Sequence, residues 1–238
     1  MLGSVGARAQ AAYRFAVISP GTAPYLYLDQ ASKKYEGVIV DIVKHMSSSY
    51  PIEVTFIDSN RNRIEHLIQQ GDVDAFLSSA DWLDNTQNLL SSEPIITHKS
   101  YIYQLTPFEN TKQPLLKPII CTRVGYAYPA LNIAIRNKEV QRMDSATQLN
   151  MMNMLKQKRC DQAIMNNHNA NVILSSASFK SVKIYRSPTP IDSTKMAIFF
   201  RRDLHHFKRA IDNSIKLMQA NGEITSSIHR HELANIQD

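Results

Sequence analysis

Between Tyr35 and Pro94 the spacing of apolar residues switches repeatedly between two periods, and that switching narrows the possible folds more than any other feature of the chain. Val38, Ile39, Ile42, Val43 and Met46 fall on the two-turn spacing of a half-buried helix that Gly37 opens. Ile52, Val54 and Phe56 then alternate with polar partners, as a strand does. Ile64, Leu67 and Ile68 return to helical spacing and stop before Gly71, a good helix terminator. Asp72-Val73-Asp74-Ala75-Phe76-Leu77 reads as the next strand and gives way to Ser78-Ser79-Ala80-Asp81-Trp82. Helices alternating with strands predict an α/β fold built on a parallel, doubly wound sheet, whose ligands sit beyond the carboxyl ends of the strands. Ser78 to Trp82, with the only Trp of the chain, is thereby expected at a binding edge.

The same grammar extends in both directions. Arg14 to Ile18 reads as a first strand, broken by Ser19-Pro20-Gly21-Thr22 and followed by Ala23-Pro24-Tyr25. The loop after a first parallel strand faces the binding edge, so Tyr25 is an aromatic contact or simply a ring covering the loop. Lys99 to Leu105 alternates as a strand and leads into a segment punctuated by Pro107, Pro114 and Pro118, read as a crossover. Ile119 to Val124 is a strand, Gly125 to Pro129 a loop, and Ala130 to Asn137 a short helix with Pro129 near its first turn. Leu149, Met152 and Leu155 mark an amphipathic helix whose apolar face Met151 and Met154 widen. Leu155 to Asn167 then echoes Ile68 to Ser79, with Asp161 standing where Asp74 stood and Asn166 where Ser79 stood. Val182 to Tyr185 is expected to be the last strand of this second unit, Ser187 to Ser193 a connector, and Lys195 to Phe200 a strand returning to the first. Asp203 is placed to cap a helix carrying Leu204, Phe207, Ile211, Ile215 and Met218 on one face, and a short helix with Ile224 and Ile228 closes the chain. The expected division is a tail over residues 1–12, one lobe from 13–103 with 193–238, and a second lobe over 104–192 that includes the hinge segments. Two such lobes would face their polar strand ends across a cleft.

Composition removes several function classes. A chain of 238 residues, 43% hydrophobic and 20% charged, has enough apolar material for one large or two small cores. Its net charge of +6 is spread along the sequence with no dense Lys/Arg run, so nucleic acid is not an expected partner. No GxGxxG or GxxxxGK loop supports a nucleotide site, and no GxSxG supplies a serine nucleophile elbow. Of the eight His, His205-His206 and His229-x-His231 read as solvated surface without further metal ligands, so neither metal nor cofactor is expected. Cys121 and Cys160, the only cysteines, are either a disulfide suited to an oxidising compartment or two buried thiols. Ala9-Gln10-Ala11 looks like the cleavage end of a secretory signal lacking its apolar segment, or belongs to an artificial extension. No apolar run is long enough to span a bilayer, and the chain is expected to be soluble.

Taken in order, Pro24-Tyr25, Glu36-Gly37 with Asp41, Gly71-Asp72-Val73-Asp74-Ala75, Ser92-Glu93-Pro94, Val124-Gly125, Arg159-Cys160-Asp161 and Asn221-Gly222 form a pattern that resembles the bacterial extracellular solute-binding proteins of family 3. These are type II periplasmic binding proteins, and the resemblance spans roughly Tyr13 to Glu232. It implies two α/β lobes, each a mixed, mainly parallel sheet flanked by helices, joined by two hinge crossovers, with a ligand between them and closure on binding. It also implies a periplasmic, non-catalytic monomer that delivers a small polar molecule to the membrane permease of an ABC importer. The signal-like residues at Ala9 to Ala11 favour that role. The alternative is the input domain of a membrane-bound signalling protein, which a reading frame continuing past Asp238 into an apolar segment would favour; a rarer one is an enzyme with Asp81 as general acid or base. Family members that bind α-amino acids usually hold the carboxylate with an Arg between the Asp-Ala strand and the Ser-x-Pro motif, where this chain has Asn85 or Thr86 and no Arg between Arg63 and Arg123. Asn166-Asn167 stand where an acid usually holds the amine. An amide cannot reproduce the bidentate grip of a guanidinium, so a polar ligand of low net charge is expected. The expected contacts are Tyr25, Ser78, Ser79, Asp81, Trp82, Asn85, Tyr126, Tyr128, Asn166 and Asn167, with Arg123 or Lys99 available for an anion.

Overall fold

Residues 11–19, 21–110 and 116–234 are described by a computed structural model; most of the signal-like tail, Pro20 and Pro114 lie outside the described residues. The first lobe opens with β1 (Ala11–Ile18), the short ribbon β2 (Gly21–Thr22), β3 (Leu26–Leu28) and β4 (Tyr35–Glu36), then α1 (Val38–Ser49) and β5 (Ile52–Ser59). It continues through α2 (Ile64–Gln70), β6 (Ala75–Ser78), a 3-10 turn over Ala80–Trp82 and β7 (Leu89–Ser91). After the long β8 (Ile96–Gln104) come β9 (Ile119–Arg123), α3 (Asn132–Arg136), β10 (Gln141–Ser145), α4 (Gln148–Lys156), β11 (Gln162–Asn166), α5 (Asn167–Ser175) and β12 (Tyr185–Arg186). The long β13 (Asp192–Arg201) leads back to α6 (His205–Ala220) and α7 (Glu223–Ala234).

The apolar periods account for what packs where. Val38, Ile39, Ile42, Val43 and Met46 of α1 are buried against Phe15, Phe200, Phe207 and Ile211 in the first-lobe core. Gly37 opens α1 at φ 122°, and a Cβ there would lie 2.4 Å from the Tyr25 carbonyl oxygen. Only glycine lets the start of the helix press so close to the Tyr25 backbone. The second lobe has its own core around Tyr103, Met151, Met152, Leu155 and Phe179. Cys121 and Cys160 lie within it as a disulfide with Cα atoms 5.8 Å apart, which resolves the choice the sequence left open.

The strand order is β10-β9-β11-β8-β13-β6-β1-β5. Neighbours are parallel within β10-β9-β11 and within β6-β1-β5. Between these two blocks run β8 and β13, antiparallel to each other. β8 pairs with β13 over Ile96–Ser100 and with β11 over Ser100–Gln104, while β13 reaches β6 through Ala197–Phe200. These two strands are the crossovers between lobes.

Four local expectations shift. β1 starts at Ala11 rather than Arg14, because Ala11 to Tyr13 ladder against Ile52 to Val54 of β5. The strand expected over Val182 to Tyr185 is reduced to Tyr185–Arg186, since the Val182 N–H turns back to the Phe179 carbonyl. Asp203 does not cap α6: its carboxylate is taken by Arg201 Nε at 2.7 Å, and the helix begins at His205 with no side-chain cap. The closing helix, expected to be short, runs for 12 residues. Among the described residues no helix is long and apolar enough to cross a membrane.

Candidate functional site

The carboxyl ends of β1 and β6 in one lobe and of β9 and β11 in the other open onto a single cleft whose floor is β8 and β13. Its cavity volume is about 120 Å³, on the scale of cavities that take one benzene-sized molecule. The first-lobe wall carries Tyr25, Ser78, Trp82 and Arg61; the second-lobe wall carries Tyr126, Tyr128, Asn166, Asn169 and Gln148; His98, Ser100 and Asp192 rise from the crossing strands.

Aromatic rings cluster on the first-lobe side. His98 is exposed to the cleft by the alternation of β8, and its Nδ1 lies 3.3 Å from the Tyr25 hydroxyl. The two rings stack at 6.0 Å between centroids, and the Trp82 indole meets His98 edge-on at 4.9 Å. Burial, with His168 nearby, pushes the His98 imidazolium down to about 4, so at neutral pH the ring is an uncharged hydrogen-bonding group. Burial, with Glu232 next, raises the Tyr25 phenol above its ordinary value and keeps it protonated. Behind this group, His168 Nδ1 on α5 lies 2.5 Å from Glu232 Oε1 on α7. On the opposite wall Tyr128 Oη accepts from the Arg123 backbone N–H at 2.9 Å, and burial pushes that phenol up to about 12.

Six of the residues singled out from sequence are brought together here: Tyr25, Ser78, Trp82, Tyr126, Tyr128 and Asn166. The other four do not line the cleft. Ser79 is buried with its hydroxyl bonded to Thr194 and accepting from the Asp81 N–H at 3.3 Å, so it caps the 3-10 turn. Asp81 is exposed and its carboxylate accepts from the Thr194 hydroxyl. Asn85 sits in an exposed loop with Oδ1 taken by the Gln87 N–H at 2.8 Å, and Asn167 forms the first turn of α5. Lys99 alternates to the exposed face of β8, while Arg123 is buried with its guanidinium 4.6 Å from the Tyr126 ring centroid, behind the wall.

His98, Arg61, Asn169, Gln148, Ser100 and Asp192 escaped the sequence reading. Arg61 follows the carboxyl end of β5, where the topological rule already points; His98 and Ser100 share one face of an alternating strand. Arg61 is already engaged: Nη1 meets Glu65 at 3.0 Å and Nη2 donates to the Trp82 carbonyl. The described residues contain no cluster of three or more groups able to hold a metal ion.

A sequence profile of the bacterial extracellular solute-binding proteins, family 3, matches residues 16–231. No curated protein sequence matches the chain. Among solved structures, the amino acid ABC transporter substrate-binding protein AbpA from Streptococcus pneumoniae, bound to L-arginine, superposes with a TM-score of 0.76 at 14% identity, over 96% of this chain and 97% of that one. The GluR0 ligand-binding core with L-glutamate gives 0.74 at 9% identity, over 94% and 99% of the two chains. The BvgS periplasmic domain of B. pertussis gives 0.68 at 13% identity, over 93% of this chain but 43% of that chain. At such identities the likeness concerns the fold, and function has to be argued from the cleft.

Proposed function

The chain belongs to the bacterial extracellular solute-binding proteins, family 3, and we propose that it captures a small polar solute between its lobes in the periplasm and presents it to the permease of an ABC importer. The observation that carries this reading is a cleft with polar and aromatic groups contributed by both lobes, Ser78 and Trp82 from one and Tyr126 and Asn166 from the other, over a floor of two crossing strands. A solute touching both walls has more contacts when they approach, and only such differential affinity can drive closure. In this reading 13–103 with 193–238 form one body and 104–192 the other, except that the end of β8 through Tyr103, paired with β11 and packed in the second-lobe core, moves with the second; Tyr25, Ser78, Trp82, Tyr126, Tyr128 and Asn166 contact the solute. The Cys121–Cys160 disulfide suits an oxidising compartment such as the periplasm.

Native mass spectrometry of the purified protein identifies a co-purified solute, and small-angle scattering with and without it is expected to record a smaller radius of gyration when it is bound. An unchanged profile with a calorimetrically saturated site would remove the closure mechanism. The second reading, an input domain of a signalling protein, is supported by the shared fold of the BvgS periplasmic domain. Solute-dependent capture of a permease from membranes favours the importer, and capture of a kinase or cyclase favours the sensor.

A further inference from the structure

Two polar atoms in the second-lobe wall have no partner. Asn166 and Asn169 are 1% and 3% exposed, both line the cleft, and Asn166 Nδ2 and Asn169 Oδ1 make no hydrogen bond among the described residues. Buried polar groups are nearly always paired, so two orphans side by side on one wall mark where something else must bind. The Asn166 amide is oriented by its own helix: Oδ1 accepts from the Asn169 N–H at 2.9 Å, which leaves Nδ2 as a buried donor without a partner. Asn169 Nδ2 donates to Gln148 Oε1 at 2.7 Å, leaving its Oδ1 as an acceptor. Turning both of those amides end for end keeps the bond between them and still leaves one acceptor and one donor in the pair. The wall therefore holds an unpaired donor beside an unpaired acceptor just under its surface, which a small shift of these side chains on solute entry would uncover.

The charges around it disfavour an anion. Arg61 is occupied by Glu65 and the Trp82 carbonyl, so a carboxylate entering the cleft would have to compete with an internal ion pair, and Asp192 supplies one negative charge across the floor. Facing the amides are the flat rings of Tyr25, Trp82 and His98, the last uncharged at neutral pH.

We propose that the solute is a neutral planar molecule with an amide edge, a carboxamide or lactam, whose carbonyl accepts from Asn166 and whose N–H donates to the Asn169–Gln148 pair while its ring lies against the first-lobe aromatics. This rests on the solute-binding reading and narrows it to a chemical class.

Matched probes test it on the full chain. Nicotinamide and benzamide are titrated by calorimetry and thermal shift beside nicotinate and benzoate, which have the same rings with a carboxylate in place of the amide, and beside L-arginine and L-glutamate. The amides are expected to bind at least tenfold more tightly than their acids. Asn166→Asp keeps the acceptor that caps α5 and replaces the donor with a carboxylate oxygen that repels the solute carbonyl, so it is expected to weaken the amides at least tenfold, with a cooperative melting transition of the free protein showing that the variant folds. Should that variant misfold, Asn169→Ala reads the acceptor in the same way. Acids or amino acids binding as tightly as the amides, or amide affinity unmoved by either folded variant, would overturn the amide assignment and leave a solute-binding protein. Silence of every probe, together with no co-purified molecule, would overturn the solute-binding reading itself.

Discussion

Asp74 and Asp161 stand immediately before β6 and β11, one in each lobe, and each carboxylate accepts from a backbone N–H of the neighbouring parallel strand, Arg14 at 2.8 Å and Ile119 at 2.7 Å. The backbone N–H groups of Asp74 and Asp161 donate in return to the Arg14 and Ile119 carbonyls at 2.8 and 2.9 Å. At the far ends of those strands Ser79 and Asn166 both accept from an N–H of the turn that follows. The backbone device is thus duplicated, but its surroundings are not. Asp74 is buried between Arg14 and Arg201, whereas Asp161 is exposed with no ion pair among the described residues. The Ser79 hydroxyl is consumed by Thr194, and the Asn166 amide keeps a free donor. The first lobe closes its strand end from within; the second leaves its strand end unfinished. A repeated motif therefore fixes how the backbone turns, and the neighbouring side chains decide whether the position is structural or available to a solute.

The cores differ in the same sense, a large aliphatic and aromatic one in the first lobe and a smaller one holding the disulfide in the second. Replacing both Cys121 and Cys160 with Ser, which frees a separation of 39 residues, is expected to cost about 4 kcal/mol in the chain-entropy account. Because Trp82, the only Trp, sits on the first lobe beside the crossing strands and outside the second-lobe core, circular dichroism should then begin to fall at lower urea than Trp fluorescence, and coincident transitions would break the contrast between the cores.

His98 belongs to a strand shared by both lobes, so its titration tests the seam between them. Folding lowers its proton affinity from near 6.5 to about 4, so the unfolded chain binds the extra proton in that window. Stability should be complete above pH 6.5 and lost progressively on the way down to pH 4, by about 3 kcal/mol in all. His98→Gln should flatten that slope in urea titrations at stepped pH; an unchanged slope would assign it to other groups.

Smaller effects sharpen the pairwise comparison. Asp74→Ala should cost about 2 kcal/mol, since it strands a part-buried N–H and two partly exposed guanidinium groups, and Asp161→Ala about 1 kcal/mol. Equal losses in chemical denaturation would make the two sites equivalent after all. Ser79→Ala should cost about 1 kcal/mol as a lost cap and leave solute affinity where it was, in contrast to Asn166→Asp.

Much of this was legible in the residues because periodicity is local: α1, β5 and α6 follow from apolar spacing, Gly71 ends α2 in the left-handed region at φ 80°, and the Asp161 echo of Asp74 holds down to its hydrogen bonds. What was not legible depends on partners distant in sequence. Ser79 is turned away from the cleft by Thr194, which is 115 residues further on. Asp203 fails for a local reason instead, since the guanidinium of Arg201 two residues earlier takes its carboxylate. His98 was hidden because alternation reveals two faces without saying which one looks into the cleft. Arg61 was hidden because a loop between a strand and a helix has no period at all.

The five rungs that tie Asp192–Met196 to Ile96–Ser100 make the two crossovers one twisted ribbon. A ribbon bends readily out of its own plane and resists shear within it, because sliding one edge past the other would rupture every rung together. In the proposed closure such a ribbon would leave the lobes one favoured direction, like a door on a leaf spring, and the walls would meet along one path.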